Sequence, residues 1–476
     1  MIQQAILLCA AVLIPALLLA LGKTRLLLGW VGFTLSVHVF DTALLTNLPA
    51  GRVVGLLYLP LMLLAAPSWL RLPPARAWLI NFAYLLVLGV MFGFLWPWPD
   101  TTGNRPLMMT APGRTIIFTI RLISDLSLTV FVARQLRRPG NIRVLGQAII
   151  LGAALTALAG IFNFVTKIDP YYLITGLRDL GGNQRARGLS FEPRGLGMAC
   201  AYGLMVLIVM PGRLSLQRLA VLGVTLLGLL VSYSTSALAI FVAGLAASWL
   251  FLSNRVRLSI AAVLLGMAGL IAIAPLVVPQ QFAIAVQSVQ QRLDPSSRPL
   301  SEEPDNLVEA IAFRMDSFDA SALLFLWAQP TYALIGTGPG MVLLPASEYV
   351  PPGVYRLMYP PERGLDGLPT HGPLFEVANS GILGLGLWLF QVWICYTALR
   401  RLARKQTEPA AALHWRFGRN IFLIGTVFYI IQMSMNAPTW SVILGIGWAA
   451  SAVSAQRRQM AEQPEAQSPG LPPLPA

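Results

Sequence analysis

The stretch GGNQRARGLSFEPRGLGMACAYGLMVLIVM, residues 181–210, sets Arg185, Arg187, Glu192 and Arg194 directly against an apolar run long enough to enter a bilayer. The apolar half is typical of the whole chain. Of 476 residues, 56% are hydrophobic and only 11% charged, where a soluble domain carries about 25% charged residues. Mean hydropathy is +0.67. Apolar runs recur along most of the length, so the chain reads as all-α, a polytopic membrane helical bundle.

Spans are predicted at 4–22, 26–45, 53–66, 76–95, 115–134, 144–165, 195–211, 217–232, 236–252, 257–277, 378–399, 417–434 and 438–455, twelve or thirteen in all. A crossing helix needs about 20 residues, so the shorter runs are expected to tilt, break or extend. The first run lacks a basic leader region and a cleavage site, and further spans follow it, so it reads as a helix and not as a signal peptide.

Charge gives the sidedness. Short loops hold Arg134, Arg137, Arg138 and Arg143; Arg213 and Arg218; Arg255 and Arg257; Arg400, Arg401, Arg404, Lys405, Arg416 and Arg419; and Arg457 with Arg458. Counting spans puts all of these on one face, which the positive-inside rule makes cytoplasmic. The net charge of +14 is thereby spent on topology and lipid head groups, which removes the case for nucleic acid as a partner. Cys9, Cys200 and Cys395 all lie in apolar runs and read as small core residues, not as a disulfide frame or metal site.

The expected organisation is an N-terminal bundle over 1–277 that includes an extracytoplasmic segment at 166–194. A large extracytoplasmic loop over 278–377, helices over 378–455 and a cytoplasmic tail over 456–476 follow. The end of the tail, 463–476, is rich in Pro, Gln and Glu and is expected to be disordered.

Arg185 and Arg187 therefore lie on the face that the sidedness bias keeps poor in cations. Arginine's planar fork suits bidentate binding of phosphate; the plainer reading is a head-group contact or a salt bridge to Glu192. Glu192-Pro193 has the form of a helix start. In the large loop, QQFAIAVQSVQQRL (280–293) has the spacing of an amphipathic helix, and LVEAIAFRMDSFDASALLFLW (307–327) that of a second. There Arg314 is either paired with Asp316 or Asp319 or is a second phosphate ligand. GTGPG (336–340) lacks the Lys-Ser/Thr of a phosphate-binding loop. His371 is the histidine expected outside the membrane, with His38 placed in a span and His414 in a cytoplasmic loop; it reads as an interfacial histidine or as a general base. Arg121 and Asp125, spaced i, i+4, read as a structural pair. The hydroxyls of SYSTS (232–236), Ser234 and Ser236 among them, are candidates to line a polar pocket.

Several motifs are missing: an Asp-x-Asp metal clamp, zinc-ligand spacing, and a Gly-x-Ser-x-Gly elbow. Chemistry without a metal or cofactor is expected, with arginines stabilising an anionic leaving group.

The order of these segments is similar to that in the O-antigen polymerase and O-antigen ligase superfamily of bacterial membrane glycosyltransferases (the Wzy/WaaL type). RARGLSFEPRGLG (185–197) looks like its Arg-x-x-Gly segment before a span. SYSTSALAIFVAG (232–244) resembles its Thr-x-Ser-Arg-Gly turn, with Ala237 where many members have arginine. FRMDSFDASALLFLWAQPTYALIGTGPG (313–340) resembles its loop helix. THGPLFEVANSGILGLGLWLF (370–390) resembles its histidine-led approach to a late span, with Gly372 in place of the usual Asn or Ser.

The resemblance covers roughly residues 140–400 and implies a GT-C-like bundle in the bacterial inner membrane, with its site facing the periplasm. It implies a donor glycan on undecaprenyl pyrophosphate gripped by Arg187 and Arg314, with Arg185 assisting. His371 would take the proton of the acceptor hydroxyl. Glu192, Ser234 and Ser236 are further candidate contacts. The acceptor is another lipid-linked repeat unit for a polymerase, the reading preferred from FEPRG, or lipid A-core for a ligase. A chain-length regulator is a candidate partner. A transporter or flippase of the same lipid-linked glycans would also use arginines on this face, but no paired broken halves are visible in the sequence.

Overall fold

A computed structural model of the chain describes residues 2–41, 49–95, 110–177, 185–212, 215–251, 254–277, 305–312, 317–342, 344–349, 371–406, 408–432 and 438–462, with isolated positions from 279 to 315. All the regular elements among them are helical. The bundle helices are α1 (Ile2–Ala20), α2 (Thr24–Thr34), α3 (Ala50–Leu64), α4 (Pro73–Val90), α5 (Ala111–Leu136) and α6 (Asn141–Thr166). After the short α7 (Pro170–Thr175) come α8 (Pro193–Val209), α9 (Leu216–Val231), α10 (Thr235–Phe251) and α11 (Asn254–Val277). The loop contributes α12 (Leu307–Ala312), α13 (Ser317–Ala328) and α14 (Pro330–Ile335). The chain closes with α15 (Gly372–Lys405), α16 (Pro409–Gln432) and α17 (Thr439–Glu462).

Each predicted span overlaps a helix. Among the described residues, five helices have the length and hydropathy to cross a membrane: α1, α4 with its π-helical extension to Leu95, α5, α6 and α15. Helices α3, α8, α9 and α10 are apolar but shorter. The predicted span 26–45 is corrected. Its helix ends at Thr34, and a 3-10 turn (His38–Phe40) follows, because the His38 amide donates to the Leu189 carbonyl instead of continuing the helix. The last spans also extend further than predicted. Helix α15 starts at Gly372, and α17 runs to Glu462, so the first residues of the expected tail are helical. The expected amphipathic helix at 280–293 and the tail at 463–476 lie largely or wholly outside the described residues.

The stretch first quoted becomes the centre of the bundle. Helix α8 is apolar on every side, and Leu196, Cys200, Leu204 and Met205 are all fully buried. Such a helix belongs inside a bundle. It is surrounded by α6, α9, α10 and α16. Small residues permit this closeness: a Cβ on Gly203 would stand 2.3 Å from that of Ala153, and one on Gly228 would stand 2.5 Å from that of Ala157. Helix α1 is the opposite case. It buries only Ala11 and Pro15 and exposes Ile6, Leu13 and Leu17, a surface suited to lipid chains and costly in water.

Two features organise the end of the bundle that carries the loop helices. Helix α15 is broken at Gly381, whose φ of 64° and ψ of −165° are open essentially to glycine alone. The turn at 336–340 closes on this break. The Thr337 amide and hydroxyl donate to the Ala378 carbonyl, the Gly338 amide to the Asn379 carbonyl, and the Gly340 amide to Asn379 Oδ1. Carbonyls released by the break are thus satisfied by the loop. The second feature is an ion pair inside the bundle. Arg52, 1% exposed, holds Asp125 through two contacts of 2.9 Å. The expected Arg121–Asp125 pair is therefore corrected. Helix α3 packs along α5 and brings Arg52 to the carboxylate in a bidentate fork, which a neighbour on the same helix reaches less well.

Candidate functional site

Asp319 lies in the first turn of α13 and is fully buried; His371 is the N-cap residue of α15 and its side chain is 31% exposed. The carboxylate holds the histidine at two points. Oδ1 accepts from the His371 amide at 3.2 Å, and Oδ2 stands 3.0 Å from Nδ1. The latter distance is that of an ion pair, but it is off the line of a good hydrogen bond, so the hold on the ring is electrostatic first. Contacts of this kind tighten when a substrate is engaged. A carboxylate beside Nδ1 favours the tautomer protonated there, which leaves Nε2 as the acceptor a general base requires.

Nothing in the spacing of residues 319 and 371 foretells this pairing. The sequence offered Asp319 as a partner for Arg314. Arg314 and Asp316 lie outside the described residues, so the second expected phosphate ligand has no place in the geometry below.

One turn along α15 from His371, Phe375 stacks on Phe118 of α5 at 5.8 Å between ring centroids. Next to it Glu376 accepts a 2.8 Å hydrogen bond from the Tyr429 hydroxyl of α16. Both residues line a cavity of about 70 Å³ whose wall also includes Asn81, Asp125, Asn379 and Gln391. That is room for a few water molecules. Arg114, at the start of α5, donates from Nη1 to the Gly340 carbonyl at 3.3 Å. It thereby ties α5 to the turn that braces the break in α15.

Arg187 lies elsewhere and is engaged. Its side chain is 2% exposed. Nε donates to Asp169 Oδ2 at 2.8 Å, Nη2 reaches both Asp169 and the Leu177 carbonyl, and Nη1 reaches the Phe191 carbonyl. The guanidinium also covers the Tyr171 ring at 4.8 Å. Burial first, with the Asp41 carboxylate adding to it, pushes the Tyr171 phenol up to about 12, so the ring beneath the cation stays neutral. The plainer alternative, a salt bridge from Arg187 to Glu192, is not the one formed. Asp169, the N-cap of α7, stands where the carboxylate is needed, whereas Glu192 is exposed at the N-cap of α8 and makes no side-chain capping bond.

Arg185 joins the predicted hydroxyl turn. It donates to the Ser232 carbonyl at 3.3 Å and to the Tyr233 carbonyl at 2.9 Å. Tyr233 has a φ of 47°, and Ser234 and Ser236 are in hydroxyl contact at 3.2 Å. Arg185 thus meets the backbone of the turn that carries Ser234 and Ser236, and Arg187 lies in a separate clamp that makes no hydrogen bond or ion pair with His371. Sequence reasoning missed Asp169 and Arg52, and it offered Asp319 to Arg314 instead of to His371. His38 was misplaced in a span; it sits against the 187–190 segment. Among known proteins, no family model matches this chain and no curated relative does.

Proposed function

We propose that the chain is a metal-independent inverting glycosyltransferase that polymerises undecaprenyl-pyrophosphate-linked repeat units into surface polysaccharide at the periplasmic face of the bacterial inner membrane. The observation that carries this reading is the Asp319-held His371 at the head of α15, a base exposed at one end of an otherwise apolar bundle. The ordered resemblance of residues 140–400 to the polymerase and ligase superfamily supports it, as does the helical architecture, which suits a GT-C-like bundle.

In the proposed reaction, His371 Nε2 takes the proton of the acceptor hydroxyl as its oxygen bonds to the anomeric carbon of the donor. The bond from that carbon to the diphosphate oxygen breaks, and the electron pair leaves with undecaprenyl diphosphate. Asp319 steadies the imidazolium that forms. Arg187 is engaged by Asp169, so as a diphosphate ligand it would have to exchange that carboxylate for phosphate oxygens; otherwise it shapes the 166–194 segment. Arg185, Glu192, Ser234 and Ser236 remain candidate substrate contacts on the same segments, and Arg314 a candidate ligand in the loop. A ligase would use the same base with lipid A-core as acceptor.

The test is turnover by purified protein given undecaprenyl-pyrophosphate-linked repeat units alone, with products sized on a gel. A ladder is expected. It should disappear in His371→Ala and fall on the order of a hundredfold or more in Asp319→Asn, the range typical of a general base and its orientation. Transfer only after lipid A-core is added would move the chain to the ligase class. No transfer under either condition would refute the glycosyltransferase reading and favour a transporter.

A further inference from the structure

The end of the bundle remote from His371 carries a cationic cluster that the proposed reaction does not use. Arg400 and Arg404 lie near the end of α15, and Arg416 and Arg419 in the N-terminal half of α16. The two helices pack along each other, and Arg416 Nε donates across to the Ala403 carbonyl at 3.4 Å. Arg419 is half-buried, and its electrostatic neighbours are Tyr396, Arg404, Arg416 and Arg400. Its guanidinium donates to Asn420 Oδ1 at 3.3 and 3.0 Å, a neutral acceptor. Among the described residues no carboxylate pairs with any of the four arginines. Glu408, the acid nearest in sequence, is exposed just before α16.

Topology does not account for this grouping. The positive-inside rule asks for cations in the loop, not for their convergence on a half-buried arginine. Like charges four residues apart on a helix repel, and arginine cannot relieve this by losing its proton. The dipole of α15 favours Arg404 in its last turn. It gives Arg416 and Arg419 nothing, because they follow the start of α16 and not its end. An anion seated among the four removes the repulsion.

The face above the cluster gives the class of anion. Leu389, Trp393, Tyr396, Arg400 and Arg404 follow one another along one face of α15 at three- and four-residue steps. Leu389 is 53% and Trp393 64% exposed. The face is thus apolar, then aromatic, then cationic, the order in which acyl chains, interface and phosphates follow in a leaflet. Two arginines come from each of two helices whose axes pack about 8–10 Å apart. That spread suits two phosphates better than one.

We propose that this cluster binds the head group of one anionic phospholipid, with a two-phosphate head group such as cardiolipin's preferred and the acyl chains lying along Leu389 and Trp393. The site is on the order of 40 Å along α15 from His371, and it does not rest on the glycosyltransferase reading.

Full-length protein in detergent is titrated with cardiolipin, phosphatidylglycerol or phosphatidylethanolamine, while native mass spectrometry counts retained lipid and thermal unfolding is followed. One retained cardiolipin is expected, with a gain in Tm larger than that from phosphatidylglycerol and none from phosphatidylethanolamine. Arg400→Gln/Arg404→Gln and Arg419→Gln are each expected to weaken cardiolipin at least tenfold. Should the double variant not fold, its two substitutions are read singly, both side chains being exposed. The matched control is Arg138→Gln/Arg143→Gln, two exposed arginines that are not among the neighbours of Arg419; it should bind within twofold of wild type. An equal loss in the control would reduce the effect to diffuse charge and overturn the site. Phosphatidylglycerol bound as tightly as cardiolipin would overturn the two-phosphate preference. Displacement of cardiolipin by inorganic pyrophosphate or by hexaglutamate at equal concentration would overturn the lipid assignment, in favour of a soluble phosphate or an acidic protein segment respectively.

Discussion

His414 shows at the scale of one residue how burial sets behaviour. It was expected in a cytoplasmic loop. On α16 it is instead 8% exposed, and its Nε2 donates to the Leu136 carbonyl at the end of α5, at 3.1 Å. Burial holds its pKa below the ordinary histidine value near 6.5, with the bond to Leu136 partly opposing that shift. The sign follows directly. The unfolded chain takes up the proton more readily than the folded one, so the contribution of His414 is fully present above about pH 6.5 and is lost as pH falls below it. Thermal unfolding of the wild type should therefore soften as pH falls below about 6.5. His414→Gln, which can still donate to Leu136, should show a flatter profile in that window. Identical pH profiles for the two proteins would contradict this account.

At the scale of an element, the break in α15 is what positions the site. The half-helix Gly372–Ser380 carries His371 at its head, and the 336–340 turn clamps its far end. Gly381 makes both possible. A Cβ there would stand 2.1 Å from the Leu334 carbonyl oxygen, and the backbone conformation itself is strained for any other residue. Gly381→Ala should cost at least about 1–3 kcal/mol from backbone strain alone. Loss of loop docking should appear as faster proteolysis at 336–340 and lower turnover, while the helix content by circular dichroism stays close to wild type. A variant as protease-resistant as wild type would show that the clamp does not depend on this glycine. The existence of these helices was legible from apolar period and from punctuation such as Pro112, Pro193 and Pro373. The break was not legible, because Gly384 and Gly386 nearby read the same as Gly381 in sequence, and only contact with the loop distinguishes them.

At the scale of the whole molecule, the charge pattern makes a prediction about sidedness. Glu192 is exposed at the N-cap of α8, and Ser215 is exposed at the N-cap of α9, past the other end of α8. Among the native thiols Cys200 and Cys395 are buried, leaving Cys9 exposed. On a Cys9→Ser background, Glu192→Cys should react with a membrane-impermeant maleimide in intact spheroplasts, and Ser215→Cys only after permeabilisation. Labelling in the reverse order would put His371 and its dyad on the cytoplasmic side and rule out a periplasmic reaction.

The chain by itself determined that this is an apolar helical bundle, where its cationic loops fall, and which histidine stands before a late helix. These are local properties, readable in windows of about 20 residues because hydropathy and helical period need no distant partner. Only the tertiary structure decided which charge meets which: Asp125 with Arg52 and not Arg121, Arg187 with Asp169 and not Glu192, His371 with Asp319. A buried carboxylate must be satisfied by whatever cation or donor the neighbouring helix presents. That choice depends on helix packing across more than fifty residues of chain for His371, and no spacing in the sequence records it.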